Sequence, residues 1–360
     1  MGQTPGDANR AGVSYWVTRN ESSRPLGRKT PGNAGDSNPP TLLRRVPPAA
    51  QAYSRSVSEP TIRIELPGSF SLKQGRLERL IRLLRPLFEL EIASSVVIDL
   101  SRLVSLSPAA LALLAASLHA AEDRELMTNG QILPPLSPPV RIYLQRMNLL
   151  RSVPGFAHVD EPFERRKEEG FRGCLSFVDD TDYARVASEL TNALAERCAT
   201  DDVARGAVRV CLDEVTENVV HHANAPAGFA AAQGWRKNRE FEIAIVDLGI
   251  GIRASLTANA SYAHIATDEA AIAAALRPQV TSTPDRNAGI GLFITKHLLK
   301  ANGGSLFVRS GYGAVYAGSE ERVERMDVNM PGTIVALRAR TDMPFDLNAV
   351  YALLGSLHEN

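Results

Sequence analysis

The stretch Phe241-Glu-Ile-Ala-Ile-Val-Asp247-Leu-Gly249-Ile-Gly251 decides how the second half of this chain is read. Phe241 to Val246 alternates apolar and polar residues, which predicts a strand. The strand runs into Asp247 and then two glycines, one residue apart. Glycines at such a place let the backbone approach a ligand closely, and a carboxylate accepts a hydrogen bond from an exocyclic amine. A structural turn accounts for this motif alone equally well, so the weight falls on what lies upstream and downstream.

Upstream, Glu214-Val-Thr-Glu-Asn218 sits on a helix expected over about 202 to 222. Four residues make about one turn, so Glu214 and Asn218 project from the same face. Mg2+ is commonly held by one or two protein oxygens together with phosphates and waters. Asn218 offers an amide oxygen without adding negative charge, and Glu214 is placed to accept a proton from a water or hydroxyl nucleophile. Taken singly, the pair reads as an ordinary solvated helix face. Downstream, Gly289-Ile-Gly291-Leu292 follows a polar run (281 to 288) and opens a helix expected to reach about Ala301. Glycine-rich backbone meeting a helix N-terminus favours anions, because free N–H groups and the helix dipole point the same way. Gly332-Thr333 then starts a late strand.

In this order and spacing the four segments resemble the GHKL superfamily of gyrase, the heat-shock chaperones, histidine kinases and mismatch-repair ATPases, over roughly 165 to 340. The resemblance implies a Bergerat α/β sandwich, a mixed sheet covered on one face by helices, binding ATP and Mg2+. It implies Asn218 as the Mg2+ ligand and Asp247 as the adenine-reading carboxylate, with Gly249 and Gly251 beside it. Gly289, Gly291 and Leu292 match the phosphate-binding end of a lid (about 253 to 290), and Thr333 matches the threonine that supports the aspartate. Roughly twenty residues follow the last expected strand, so no transducer domain of the gyrase or chaperone kind is expected. None of the seven histidines has the context of a phosphoacceptor; His119, in Leu118-His-Ala-Ala-Glu, lacks the neighbouring acid and proline. The segment from Tyr183 through His222 is similar to the anti-sigma-factor serine kinases, in which the position of Glu214 carries the catalytic base. Arg277, Arg286 and Lys296 are further candidates for stabilising phosphoryl charge.

The first half reads differently. Residues 1 to 58 are rich in Gly, Pro, Ser, Asn and Arg without apolar periodicity and predict a disordered basic tail. Strand and helix patterns then alternate: strands at Thr61 to Leu66 and Ser95 to Leu100, helices at about 73 to 90, 108 to 122 and 139 to 150. This predicts a small α/β domain over 60 to 155. Val96-Val-Ile-Asp99-Leu-Ser101, Leu103 to Leu111 and Val140-Arg-Ile-Tyr-Leu-Gln-Arg-Met-Asn-Leu149 resemble a STAS domain, the fold of anti-sigma-factor antagonists. At that family's phosphoacceptor turn this chain has Ser107-Pro108-Ala109-Ala110, with Ala109 at the acceptor position, and Ser107 is expected to cap the following helix. A linker over 155 to 170, the ATPase-like domain over 165 to 342 and an amphipathic closing helix over 343 to 360 complete the expected organisation.

Composition narrows the class. With 44% hydrophobic and 22% charged residues the chain is globular in character. A formal net charge of zero argues against a nucleic-acid partner. Three scattered cysteines have no metal-ligand spacing and suit a reducing compartment. No apolar run is long enough for a membrane span, and the N-terminal residues lack a signal-peptide core, so a cytoplasmic protein is expected. The combined expectation is a Mg-ATP-binding signalling protein that hydrolyses ATP or passes its phosphoryl group to a regulatory partner, a STAS antagonist or a sigma-factor-like protein. A non-catalytic ATP-gated switch is the alternative, and the resemblance leaves both monomer and homodimer open.

Overall fold

A computed structural model describes residues 59–73, 75–158, 171–196, 202–283 and 288–358, all within one compact unit. The expected tail (1 to 58) and most of the expected linker lie outside these residues. The protein is mixed α/β, with one parallel and one antiparallel main sheet. Among the described residues no helix is long and apolar enough to cross a membrane.

The first part runs β1 (Thr61–Glu65), β2 (Gly68–Phe70), α1 (Arg76–Phe88), β3 (Ser94–Asp99), β4 (Leu103–Leu106), α2 (Pro108–Asp123), β5 (Met127–Leu133), α3 (Pro138–Arg146) and β6 (Phe156–His158). β1, β3, β5 and β6 form a parallel sheet in that spatial order, and β2 pairs with β4 in a small parallel pair. Parallel strands need crossover connections, and helices supply most of them here. The second part runs β7 (Phe171–Phe177), α4 (Asp180–Ala195), α5 (Asp202–His222), β8 (Gly228–Trp235), β9 (Glu240–Asp247), α6 (Gly251–Thr257), α7 (Asp268–Ala275), α8 (Gly291–Ala301), β10 (Ser305–Ala317), β11 (Glu321–Arg340) and α9 (Leu347–His358). Its sheet has the order β10-β11-β9-β8-β7, and each ladder is antiparallel.

Two expectations are corrected here. The second sheet is antiparallel rather than mixed, and it is covered on both faces rather than one. Ile243, Ile245, Val335 and Leu337 face one core with α4, α5 and α8, while Ala244, Val246, Ile334 and Ala336 face another core shared with α1 and α2. The cause lies in α2, whose sequence Pro-Ala-Ala-Leu-Ala-Leu-Leu-Ala-Ala-Ser-Leu-His is apolar on every side. A helix apolar all round needs cover all round. It lies against β8 and β9 and also against α1, and twelve of its sixteen residues are buried.

Polar joints fix this contact. Glu242 on β9 is fully buried; its carboxylate accepts from the Ala109 N–H at the start of α2 (3.2 Å) and pairs with Arg338 on β11 (2.9 Å). A carboxylate at a helix N-terminus is favoured by the free N–H groups and the dipole. Ser107 occupies the cap position but makes no capping bond, so the expected cap is corrected: a carboxylate from the other sheet does that work. Arg309 on β10, also fully buried, donates to Glu78 on α1 at 2.8 and 3.2 Å and to the carbonyls of Gly311, Gly313 and Val328. Tyr143 on α3 donates to Gln233 on β8 at 3.0 Å.

Candidate functional site

At the end of β9 and the facing middle stretch of β11, on the α5 side of the second sheet, is a cavity of about 130 Å3. Its walls come from α5, the end of β9, the start of α6, residues 280–282, the loop into α8, and β11. Eight of the residues singled out from sequence line it: Glu214, Asn218, Asp247, Gly251, Gly289, Gly291, Leu292 and Thr333. They come from five elements and one loop, spanning some 120 positions of chain.

Asp247 ends β9, and Thr333 is its cross-strand partner on β11. The Asp247 carboxylate accepts from the Gly249 N–H at 2.9 Å and from the backbone and hydroxyl of Thr333. Only 3% of Asp247 is exposed, and burial pushes its carboxyl up to about 7 in spite of these donors. A carboxyl so buried holds its proton more tightly than an exposed one does.

Gly249 does not line the cavity. A Cβ there would fall 1.9 Å from the Ala223 carbonyl oxygen, just past the end of α5, and the next residue, Ile250, donates to that same oxygen at 2.8 Å. The glycine is therefore needed for contact between the Asp247 turn and α5, which sets the distance from Asp247 to Asn218. Ser310 on β10 ties the turn from behind: it accepts from the Ile252 N–H at 3.0 Å and donates to the Gly332 carbonyl at 2.7 Å.

Glu214 and Asn218 are half-buried on the cavity side of α5. Burial raises the Glu214 carboxyl first, and the negative charges of Glu217 and Asp213 raise it further. Gly291, the first residue of α8, faces Glu214 so closely that a Cβ would lie 2.3 Å from its Oε2 and 2.7 Å from its own Cβ. Gly291→Ala is expected to cost about 1–3 kcal/mol through overpacking, read as a lower denaturation midpoint. Adding Glu214→Ala should restore only part of this, because the Glu214 Cβ remains; full recovery would mean that the two helices do not meet as described.

Among the other lining residues, His222 closes the segment that holds Glu214 and Asn218 and was expected to line the site; the apolar ones escaped the motif reading. Ile245, Val335 and Leu256 make apolar walls, and His222 Nδ1 lies 3.3 Å from Ser282 Oγ across the entrance of the loop segment. Ile245 precedes Asp247 by two, and Val335 follows Thr333 by two. The strand period of two is the signal that finds them. Arg277 and Lys296 are not brought to the cavity; Lys296 pairs instead with Glu321 at 3.3 Å. Arg286 lies outside the described residues.

Among the described residues, no group of three His, Cys, Asp or Glu side chains is arranged to hold a metal ion. Asn218 and Glu214 supply two oxygen-bearing side chains, an incomplete set for a hard cation unless a ligand brings further oxygens. No protein-family model matches the chain, and no curated protein matches it.

Proposed function

We propose that this cavity binds Mg-ATP and that the chain is a signalling ATPase or phosphotransferase of the GHKL kind, its second part a Bergerat-type sandwich and its first part STAS-like. The observation that carries the reading is the buried Asp247 carboxylate. It is fixed by the Gly249 N–H and by Thr333 and lies in one cavity with Asn218 and the first turn of α8. Such a carboxylate accepts an exocyclic amine, and the loop into α8 offers backbone N–H groups to phosphates. Asn218 would hold Mg2+ jointly with phosphate oxygens, which fits the incomplete donor set, and the cation would offset phosphate charge. Glu214, with its raised carboxyl, would take the proton of the attacking water or hydroxyl. At about 130 Å3 the cavity is narrower than the roughly 300–1,000 Å3 of most ligand sites. Nucleotide entry therefore requires the α6 to α7 segment, which contributes Ile252, Ser255, Leu256 and Ala275 to the wall, to draw back.

The phosphoryl acceptor lies on water or on a regulatory protein rather than on this chain's own STAS-like turn. Ala109 has no hydroxyl, and its N–H already binds Glu242. The second reading, an ATP-gated switch without turnover, draws on the same segment: its withdrawal and return would change the surface offered to a partner.

Glu214→Gln separates the two. Catalysis predicts that phosphate release falls by about 10²–10⁴-fold while magnesium-dependent ATP binding, followed by calorimetry, stays within about threefold, well under the tenfold that 1.4 kcal/mol represents. Wild-type binding without measurable release or transfer selects the switch. Absence of binding in the wild type removes both readings.

A further inference from the structure

A second, roomier cavity lies elsewhere among the described residues. A recess of about 420 Å3 opens between the start of α2, the start of α3 and the far ends of β8, β9 and β11, and shares no lining residue with the Asp247 cavity. Two part-exposed rings, Tyr143 and Trp235, stand in its wall, and Phe70 lies fully buried behind it. Its charged side chains cancel, Lys73 and Arg338 against Glu240 and Glu242, and the deepest two already pair with each other.

Ser107 supplies the second observation. The residue is only 7% exposed, lines the recess, and its Oγ has no hydrogen-bond partner. An unpartnered buried hydroxyl costs about 1–3 kcal/mol of desolvation. At a helix N-cap the usual remedy is a bond to the first-turn N–H groups, but Glu242 has taken that place at Ala109. The hydroxyl is thus held at the helix entrance with its ordinary use blocked and a recess beside it. Tyr143 spends its phenol proton on the Gln233 oxygen, so Gln233 faces a newcomer as a donor too.

We propose that this recess is a binding site for a small uncharged aromatic molecule carrying a carbonyl or hydroxyl, which accepts from Ser107 Oγ while its ring packs against Tyr143 and Trp235. The two deepest wall charges, Glu242 and Arg338, already neutralise each other, so an ion beside Ser107 would lose hydration without gaining a free buried counter-charge. A volume of 420 Å3 falls within the range of small-molecule sites, and aromatic walls with few convergent polar groups are their usual composition. The inference stands apart from nucleotide binding, since neither site uses the other's residues.

The test uses the full chain and four probes: benzamide, benzoate, benzylamine and cyclohexanol, followed by saturation-transfer NMR and Trp235 fluorescence. Benzamide is expected to bind in the millimolar range, in keeping with its few atoms, and more tightly than the other three. Ser107→Ala should weaken it about 3–10-fold, the worth of one hydrogen bond, while leaving thermal stability of the ligand-free chain equal or higher. A purely structural serine would show no change in benzamide affinity. Ser105→Trp, at an exposed position on the rim, should block binding without touching the core. Asp247→Asn should leave benzamide binding intact, which separates this site from the nucleotide reading. The proposal is overturned by absence of benzamide binding, by binding that both recess variants leave unchanged, or by equal or tighter binding of either charged probe.

Discussion

Asp247→Asn is expected to weaken ATP binding about a hundredfold and, in the same molecule, to make the empty protein more stable at neutral pH. The two effects have one origin. Burial raises the Asp247 carboxyl from its ordinary 3.8 to about 7, so the folded chain holds this proton more tightly than the unfolded one does. The stability it contributes is therefore fully present below about pH 4 and is lost as pH rises through about 7, by on the order of 4 kcal/mol. An amide carries no such cost. Its oxygen still accepts from the Gly249 N–H and from Thr333, and its NH2 then faces the cavity. Between pH 4 and 7 the wild-type denaturation midpoint should fall relative to the variant's, and above pH 7 the difference should stay constant.

Binding reverses the comparison. An exocyclic amine donates to a carboxylate in a charge-assisted bond worth about 1.5–3 kcal/mol, whereas against an amide NH2 it meets another donor. Wild-type ATP affinity should also drop toward tenfold per pH unit below about 7, as the ligand must displace the Asp247 proton. An affinity indifferent to both the substitution and pH would remove Asp247 from the ligand's path, whatever else the cavity binds.

The parts of this protein visible in the sequence are those whose cause is local. Asp247 to Gly251 follows a strand, Gly289 to Leu292 opens a helix, and Glu214 lies one turn from Asn218; each is settled within a few residues, and the cavity gathers all but Gly249. β8 shows the opposite case. Gly228-Phe-Ala-Ala-Ala-Gln-Gly-Trp235 has poor strand propensity and was not anticipated as a strand. Its alanines make sense only in three dimensions: Ala231 faces the α2 core, Ala230 and Ala232 face the α4 and α5 core, and a strand packed closely on both faces has room for small side chains. The outer part of the β10–β11 hairpin is harder to read: Glu321-Arg-Val-Glu-Arg325 is mostly charged, and only the short alternation Met326-Asp-Val-Asn-Met330 marks a strand there. For α2 the helix was legible, but not its all-round apolar surface as a packing demand. What covers it was not legible either, because Glu242 meets Ala109 across 133 positions and Arg309 meets Glu78 across 231.

That last pair gives the largest expected effect on folding. Arg309→Met should destabilise the protein by about 3–5 kcal/mol, the usual cost of breaking a buried ion pair from one side, and lower the melting temperature by roughly 10 °C for a unit of this size. The guanidinium satisfies more than Glu78. It also serves the carbonyls of Gly311, Gly313 and Val328, which hold the hairpin at its irregular register around Gly311. Methionine replaces the aliphatic stem, stops short of the guanidinium position and leaves all of these oxygens buried and unbonded. Glu78→Gln is the informative comparison. Its side chain keeps 17% exposure and its amide oxygen still accepts from Arg309, so the cost should be under half as large. If the two substitutions cost the same, the arginine is held by the ion pair alone and the carbonyls contribute nothing. If Arg309→Met is the costlier, amide exchange should also quicken first in α1 and in β10 to β11. Protection in α5 and β9 should persist, because the joint between α1 and the hairpin opens while the core around Ile243 and Ile245 keeps its own contacts.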